Sequence, residues 1–115
     1  MKITEVSEKY QISVDTLRYY ERVGLIPPIP RMKNGIRYYG SDECYWIELA
    51  INMRRVGLSI ESSIKYVRLC QAGHTTIADR LQLLRSHKET LVEQQTNLTE
   101  MLKRLNLEIL ACESM

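Results

Sequence analysis

The sequence predicts a mainly α-helical fold, in which a head of short helices with a small β-hairpin precedes one long C-terminal helix. Three observations predict it. Two short helical segments with capping residues are separated by a tight turn at residues 11–13. Asn34-Gly35 stands between two short runs that contain apolar and basic residues. No Pro or Gly follows Gly73, and apolar residues recur there at every third or fourth position.

The first two helices form the predicted helix-turn-helix. Thr4 is a suitable N-cap for a helix over residues 5–11, and Ser13 is one for a helix over residues 14–23. Gly24 stands where the second helix should end, because glycine readily takes the left-handed conformation of helix C-termini. Two short helices joined by such a tight turn are typical of a helix-turn-helix motif.

A β-hairpin, or wing, is predicted after the second helix. Three prolines at positions 27–30 exclude a helix and favour extended chain. Asn34-Gly35 follows between residues 31–33 and 36–39, and predicts a type I′ turn, in which both central residues need a positive φ. We therefore expect a short hairpin with its tip at Asn34-Gly35.

Two further helices complete the predicted head. Ser41 is a suitable N-cap for a helix over residues 42–55, which Gly57 would end, and Ser59 is one for a helix over residues 60–71. The fourth helix has an apolar stripe formed by Ile60, Ile64, Val67 and Cys70. We expect this stripe to pack against the helix-turn-helix.

Residues 76–115 predict one helix of about 35 residues with a heptad pattern, roughly 52 Å long at 1.5 Å per residue. Its repeating positions, here called the seam, are Ile77, Leu81, Leu84, Lys88, Leu91, Gln95, Leu98, Leu102, Leu105, Ile109 and Cys112. Such a helix cannot bury its seam within its own chain, so we predict a coiled-coil homodimer. The predicted dimer contacts are Leu81, Leu84, Leu91, Leu98, Leu102, Leu105 and Ile109.

Length and composition argue against several classes of protein. A chain of 115 residues fits one compact domain and a modest appendage, which leaves little room for an enzyme with its own substrate pocket. No catalytic constellation, signal peptide or membrane-length apolar run is visible, so we expect a cytoplasmic protein that is not an enzyme. Three cysteines without a CxxC pair argue against a disulfide framework and a self-contained zinc site. We expect no cofactor.

Charge is distributed unevenly along the chain. Residues 1–72 have a net charge of +3 and residues 73–115 one of −1. Arg31, Lys33 and Arg37 lie close together in the sequence with no acidic residue between them. A local basic patch on a nearly neutral chain favours selective contact with a polyanion over bulk adhesion to it.

An ordered set of motifs covers the second helix, the wing and the start of the third helix. It consists of Thr16-Leu17-Arg18-Tyr19-Tyr20-Glu21-Arg22-Val23-Gly24-Leu25-Ile26-Pro27-Pro28, then Asn34-Gly35-Ile36-Arg37-Tyr38-Tyr39, then Asp42. In these motifs and in its heptad tail the chain resembles the MerR family of bacterial transcriptional regulators. The resemblance implies a winged helix-turn-helix DNA-binding domain at residues 1–72, and a linker with an antiparallel coiled-coil dimerisation helix at residues 73–115. It also implies a palindromic promoter with an unusually long spacer, which is distorted so that RNA polymerase can engage it.

Candidates for contact with double-stranded DNA lie on the second helix and on the wing. They are Thr16, Arg18, Tyr19, Arg31, Lys33, Arg37 and Tyr38. Tyr20 is equally consistent with core packing. For Arg54 and Arg55, complementation of a helix dipole is a sufficient explanation. Glu21 is expected to make no more than an exposed pair with a neighbouring arginine, worth about 0.2–0.5 kcal/mol.

The sequence does not identify the inducing signal. The motifs and the short tail look most like an aldehyde- or thiol-stress branch of the family, whose sensing cysteine the resemblance implies just before Met53. Asn52 occupies that position, so we do not expect sensing by that route, and Cys44 is expected in the core. In an antiparallel dimer, Cys112 of one subunit could approach Cys70 and His74 of the other and form a soft-metal or thiol site. A buried core thiol at Cys70 is the alternative.

Two other classes of function are consistent with parts of the sequence. An architectural DNA-binding protein of the excisionase kind also has a small winged helix-turn-helix, and it bends DNA without sensing a signal. The long heptad tail argues against this reading. In the other class, the coil recruits a different protein and DNA contact is incidental, which Lys88 and Gln95 in the seam would permit.

Overall fold

The computed structural model describes all 115 residues and is mainly α-helical. The helices are α1 (Ile3–Tyr10), α2 (Val14–Val23), α3 (Ser41–Arg55), α4 (Ile60–Gln71) and α5 (Ile77–Glu113), with a short 3-10 turn at His74–Thr76. The predicted fold class, short helices followed by one long C-terminal helix, is confirmed. The chain divides into two compact units, Met1–Ile77 and Ala78–Met115.

The helix-turn-helix begins with a helix that differs from the prediction. Thr4 is not its N-cap, because α1 begins at Ile3 and the side chain of Glu5 accepts a hydrogen bond from the backbone N–H of Lys2 at 3.1 Å. The helix ends at Tyr10 because Gln11 takes a left-handed conformation, with φ of 53°. The start of α1 is therefore stabilised by a carboxylate inside the first turn.

The second helix has the predicted bounds. Ser13 Oγ accepts a hydrogen bond from the backbone N–H of Thr16 at 3.0 Å, which satisfies one of the donors left free at a helix start. Gly24 ends the helix with φ of 82°, a conformation that costs side-chain-bearing residues free energy.

The two remaining helices of the first unit differ in how they begin. Ser59 caps α4 as predicted, since its Oγ accepts from the backbone N–H of Ser62 at 3.1 Å. The prediction for α3 is wrong by one residue. Ser41 is its first helical residue, and the Glu43 carboxylate accepts from the N–H of Gly40 at 2.9 Å. Between the helices, Arg54 donates to the carbonyl oxygen of Leu58 at 2.5 Å, which is a structural use of this arginine.

One core holds the first unit together. It consists of Val6, Leu17, Tyr20, Leu25, Ile26, Ile29, Tyr39, Ile47, Ala50 and Val67. Val67 is fully buried and Ile60 and Ile64 pack against this core, so burial of the stripe predicted for α4 is confirmed at these positions. The helix that α4 mainly contacts is α3. The proline-rich segment also contributes to the core, through Leu25, Ile26 and Ile29. Burial of one such aliphatic side chain stabilises the fold by about 1.5–3 kcal/mol.

The wing, residues 31–38, forms a turn closed by a single β-bridge between Arg31 and Arg37, with no β-strand. Gly35 N–H donates to Met32 O at 2.9 Å, and Met32 N–H donates to Ile36 O at 2.8 Å. Gly35 has a φ of 83°, whereas Asn34 does not have a positive φ, so the predicted type I′ turn is wrong. The turn has three loop residues with glycine in the left-handed position. Among hairpin connections, this arrangement is second in frequency to the two-residue turn.

The long helix α5 has 37 residues and matches the predicted continuous helix. Six of the seven predicted dimer contacts are exposed, with exposed fractions of 42% at Leu81 and 57% at Leu105, and Leu84 is half-buried. The apolar seam of α5 is thus open along most of the helix. No helix combines the length and the apolar character needed to cross a membrane.

Candidate nucleic-acid interface

Helix α2 has a buried face and an exposed face, and the predicted DNA contacts Arg18 and Tyr19 lie outside the buried one. Leu17 is fully buried and Tyr20 is 8% exposed, whereas Arg18 is exposed and Tyr19 is half-buried. The alternative in which Tyr20 packs in the core is therefore confirmed. Because residues three apart share a helix face, burial of positions 17 and 20 turns position 18 towards solvent.

Arg22 is a candidate that the sequence analysis did not include. Its guanidinium carbon lies 5.4 Å from the centre of the Tyr19 ring, in a cation–π arrangement. The ring of Tyr19 also lies 6.3 Å, centre to centre, from that of Tyr20. Tyr19 therefore has both a core residue and an arginine as neighbours. The three-residue spacing of Tyr19 and Arg22 was the signal that could have identified this contact.

Thr16 lies at the start of α2, and its hydroxyl is used within the chain. Its Oγ1 lies 2.7 Å from Ser13 Oγ, which also accepts from the Thr16 backbone N–H. The residue is half-buried. Its observed contacts belong to the cap of α2.

The exposed residues of the wing differ in how far they take part in hydrogen bonds within the chain. Lys33 is exposed in the turn, and Tyr38 is 50% exposed while its backbone N–H donates to Pro30 O at 2.8 Å. Arg31 donates from Nη1 to the carbonyl oxygen of Gly35 at 2.7 Å, so one of its nitrogens stabilises the turn.

Arg37 is bound to α2 through Glu21. Its Nε donates to Glu21 Oε1 at 2.8 Å, and the exposed fractions of the two side chains are 24% and 19%. The second carboxylate oxygen, Oε2, accepts from the backbone N–H of Ile29 at 3.1 Å. The expectation that Glu21 makes only an exposed pair with Arg18 or Arg22 is wrong. No spacing rule joins positions 21, 29 and 37, so this contact has no signal in the sequence.

These contacts surround an open depression of about 410 Å³ between α2 and the wing, which we call the basic groove. It is lined by Arg18, Glu21, Arg22, Pro28 and Arg37. Three guanidinium groups and one carboxylate give it a net positive charge, which suits a phosphate backbone. The structure thus brings together Arg18 and Arg37, two predicted candidates from different elements.

Tyr39 is buried beside this charged cluster. It is 1% exposed, and its hydroxyl has no hydrogen-bond partner within the chain. Burial raises the pKa of Tyr39, against the lowering effect of Arg37. The hydroxyl is therefore protonated at neutral pH, and the residue adds no negative charge next to the basic groove.

A second depression, of about 380 Å³, lies between the end of α1 and α3. Tyr10 and Asn52 both line it, and Tyr10 donates from its hydroxyl to Glu48 Oε1 at 2.8 Å. Burial and then this hydrogen bond raise the pKa of Tyr10. Asn52 is exposed at the position where the resemblance implied a sensing cysteine.

The three cysteines differ in exposure. Cys44 is buried, as predicted, Cys70 is half-buried and Cys112 is exposed. Within the single chain, no group of three His, Cys, Asp or Glu residues could hold a metal ion. The site suggested for Cys70, His74 and Cys112 requires a second subunit and stays a hypothesis.

Residues 1–69 match the family model described as MerR HTH family regulatory protein. This match spans more than half of the chain and contains α1, α2, the wing, α3 and most of α4. The chain therefore belongs to the MerR family of helix-turn-helix transcriptional regulators, as the sequence motifs predicted.

Individual relatives agree with this assignment. The HTH-type transcriptional regulator AdhR of Bacillus subtilis is 43% identical over 93 residues, which is 81% of this chain and 66% of AdhR. YyaN of the same organism is 35% identical over 66 residues, which is 57% of this chain and 48% of YyaN. The match thus spans less than two thirds of the length of either relative.

Two crystal structures are similar over most of the chain. One, from Listeria monocytogenes, is described as a MerR family transcriptional regulator and has a TM-score of 0.79 at 43% identity, covering 95% of this chain and 83% of that one. The other is HiNmlR, a MerR family regulator lacking the sensor domain, bound to promoter DNA. It has a TM-score of 0.73 at 26% identity and covers 94% of this chain and 86% of that one.

Proposed function

We propose that this chain is a homodimeric, sequence-specific regulator that binds a palindromic promoter and distorts its spacer in response to a signal. The observation that carries the proposal is the basic groove formed by Arg18 of α2 and Arg37 of the wing. One arginine on a helix and one on a loop can contact a base edge and the neighbouring backbone of the same DNA segment. HiNmlR, the relative bound to promoter DNA, supports this choice of ligand.

In this proposal the residues of the interface have separate roles. Arg18 and Tyr19 contact base edges or adjacent phosphates in the major groove. Arg37, Lys33 and Tyr38 contact the backbone beside the wing. Arg31 and Thr16 are proposed to contact DNA as well, with only part of each side chain. Arg31 donates to the turn from Nη1, and the Thr16 hydroxyl takes part in the cap of α2.

The seam of α5 supports the homodimer. Its exposed leucines would lose contact with water against a second copy of the same helix, at about 1.5–3 kcal/mol for each fully buried side chain before ordering entropy. A dimer has two copies of the basic groove, which match the two halves of a palindrome. Residues 1–72 would then bind DNA and residues 73–115 would hold the dimer, with an antiparallel pairing of the two helices.

Distortion of the spacer would bring the promoter into a form that RNA polymerase can engage. DNA deformation of this kind costs free energy, which the contacts of two joined DNA-binding domains can offset. The proposed partners are therefore promoter DNA, a second copy of the chain and RNA polymerase, and such a protein would work in the cytoplasm.

Selection of binding sites tests this function directly. Wild-type protein is used to enrich duplexes from a random-sequence pool, and the enriched duplex is footprinted with hydroxyl radicals. We expect an inverted repeat, protection of two half-sites and altered cleavage in the spacer between them. The matched control is Arg18→Ala, which keeps the fold but lacks the exposed arginine of α2. Failure of the wild type to enrich any sequence would contradict the proposal.

A further inference from the structure

One carboxylate on α2 contacts the chain on both sides of the wing turn. Glu21 Oε1 accepts from Arg37 Nε at 2.8 Å, and Oε2 accepts from the backbone N–H of Ile29 at 3.1 Å. Ile29 precedes the wing, and Arg37 closes the β-bridge at its far end. We call Glu21, Ile29 and Arg37 the Glu21 clamp. It joins the helix to the entry and the exit of the wing.

Apart from the Glu21 clamp and the buried residues next to its two ends, Ile29 and Tyr39, the wing lies open to solvent. It contains a single β-bridge and no strand, and Arg31, Met32, Lys33 and Ile36 are exposed. Ile29, by contrast, is 5% exposed and belongs to the core. The Glu21 clamp therefore connects a rigid part of the fold to a segment with few contacts of its own.

Electrostatics alone would disfavour an acidic residue at this place. Glu21 lines the same depression as Arg18, Arg22 and Arg37, where a negative charge weakens the attraction of phosphates. Glu21 accepts from the Nε of Arg37, and neither terminal nitrogen of that guanidinium makes a hydrogen bond within the chain. A forked guanidinium held at Nε can still make two hydrogen bonds to a phosphate or a base edge.

We propose that Glu21 is a positioning residue for specific DNA, which holds Arg37 and the wing at a set distance from Arg18. The proposal rests on the DNA-binding function proposed above. A preorganised pair of arginines does not have to be ordered at the moment of binding, and this increases affinity for the sequence that fits both. The negative charge of Glu21 reduces attraction to any DNA, and its geometry increases affinity for the right one.

The charge of Glu21 and its positioning of Arg37 change the affinity for the right DNA in opposite directions, so a single substitution can distinguish them. Glu21→Gln removes the charge and the ionic bond to Arg37 with little change in shape. If Glu21 acts only through its charge, this variant binds all DNA more tightly. We expect instead that binding to the duplex enriched by the wild type weakens about five- to tenfold, which lies within the range for loss of one typical hydrogen bond. Binding to a scrambled duplex should be unchanged or slightly tighter.

Three variants serve as controls for this measurement. Asp15→Asn makes the same change of charge on an exposed residue of α2 that does not contact the wing, and it should not weaken binding to the enriched duplex. Glu21→Asp keeps the charge but is too short to reach both partners, and it should weaken binding as Glu21→Gln does. In an Arg37→Ala background, Glu21→Gln should cause no further loss. Equal effects of Glu21→Gln on both duplexes would overturn the proposal.

A measurement without DNA separates this inference from the proposed function. In the free protein, hydrogen exchange by NMR reports the protection of the Ile29 amide, and the Arg37 Nε–H signal reports its bond to the carboxylate. Glu21→Ala should expose the Ile29 amide to exchange and shift the Arg37 signal, while core amides such as that of Val67 keep their protection. Unchanged protection of Ile29 would overturn the clamp itself. An intact clamp in a protein that enriches no duplex would contradict the proposed function and the positioning role, and leave a purely structural contact.

Discussion

The guanidinium of Arg22 lies over the ring of Tyr19 on the exposed side of α2, 5.4 Å from its centre. Tyr19 also packs partly against the core, and its ring lies 6.3 Å, centre to centre, from that of Tyr20. An aromatic side chain held in this way can present its hydroxyl to DNA in one orientation. The pair therefore links the packing of α2 to the proposed interface.

Removal of Arg22 should loosen Tyr19 without unfolding the protein. We expect Arg22→Ala to weaken binding to the enriched duplex by about two- to fivefold, which corresponds to a cation–π contact of about 0.5–1 kcal/mol at an exposed site. Arg22→Lys keeps a cation and should recover part of this loss. Fluorescence anisotropy with labelled duplex is the measurement. If Lys restores nothing, the role of Arg22 is a bidentate contact to DNA and not support of Tyr19.

Assembly depends in our proposal on the seam of α5. Leu98→Asp should place a charge against an apolar partner and dissociate the dimer, since an unpaired buried charge is far costlier than the apolar contact it replaces. Light scattering after size exclusion at micromolar concentration measures the mass. Leu107→Asp is the matched control, because position 107 lies outside the seam and is also exposed. A two-chain mass for both variants would count against the coiled coil.

Local signals in the sequence predicted most of the fold, and their failures have local causes. Ser13 and Ser59 were identified as caps because a hydroxyl there bonds an amide three residues on, within the same turn. The prediction that Thr4 is an N-cap failed because the helix begins before it, at Ile3, where the side chain of Glu5 accepts from the amide of Lys2. The prediction of a type I′ turn at Asn34-Gly35 failed because this dipeptide also fits a three-residue loop, in which only the glycine needs a positive φ.

Less of the candidate site than of the fold could be predicted from the sequence. Arg18 was identified because burial of Leu17 and Tyr20 follows from helical periodicity. The contact of Glu21 with Arg37 joins residues 16 positions apart on different elements, and the same carboxylate accepts from Ile29, which packs in the core. Pairings of this kind depend on tertiary structure, which no spacing rule encodes.

Cysteine chemistry is tested by a variant without thiols. Cys44 and Cys70 are buried or half-buried and Asn52 replaces the implied sensing cysteine, so a variant with all three cysteines changed to Ser or Ala should bind the enriched duplex with unchanged affinity. The measurement is anisotropy, repeated with candidate aldehydes, oxidants and metals. If the wild type responds to one of these and the variant does not, a thiol is the sensor. Cys112 would be the first to restore, because it is the exposed thiol.

The hydrogen bond from Tyr10 to Glu48 should make stability depend on alkaline pH. The pKa of Tyr10 is raised in the folded state by burial and by this bond, so its stabilising effect is complete below the unfolded pKa near 10 and is lost as pH rises above it. Tyr10→Phe should lose about 0.5–1.5 kcal/mol of unfolding free energy at neutral pH. Urea unfolding of both proteins from pH 8 to 11 is the measurement. Their difference should shrink as pH rises, and a constant difference would mean that the hydroxyl does not carry the effect.

The division of work between Arg18 and Arg37 can be measured through salt dependence. If two wings and two α2 helices neutralise about six phosphates per dimer, log K should fall with log salt at a slope near −5, at roughly −0.9 for each phosphate. Arg37→Ala should flatten this slope and weaken binding to the enriched duplex and to a scrambled duplex alike. Arg18→Ala should lose about 1–3 kcal/mol, mainly on the enriched duplex, because a bidentate contact to a base edge is lost there.

Both variants are therefore titrated against both duplexes over a series of salt concentrations. An equal loss on the two duplexes for Arg18→Ala would make Arg18 a backbone contact, and specificity would then have to come from Tyr19 or from the shape of the DNA. A loss for Arg37→Ala confined to the enriched duplex would indicate that the wing contacts bases as well as backbone. If neither change affects binding, the DNA-binding face is not the groove between α2 and the wing.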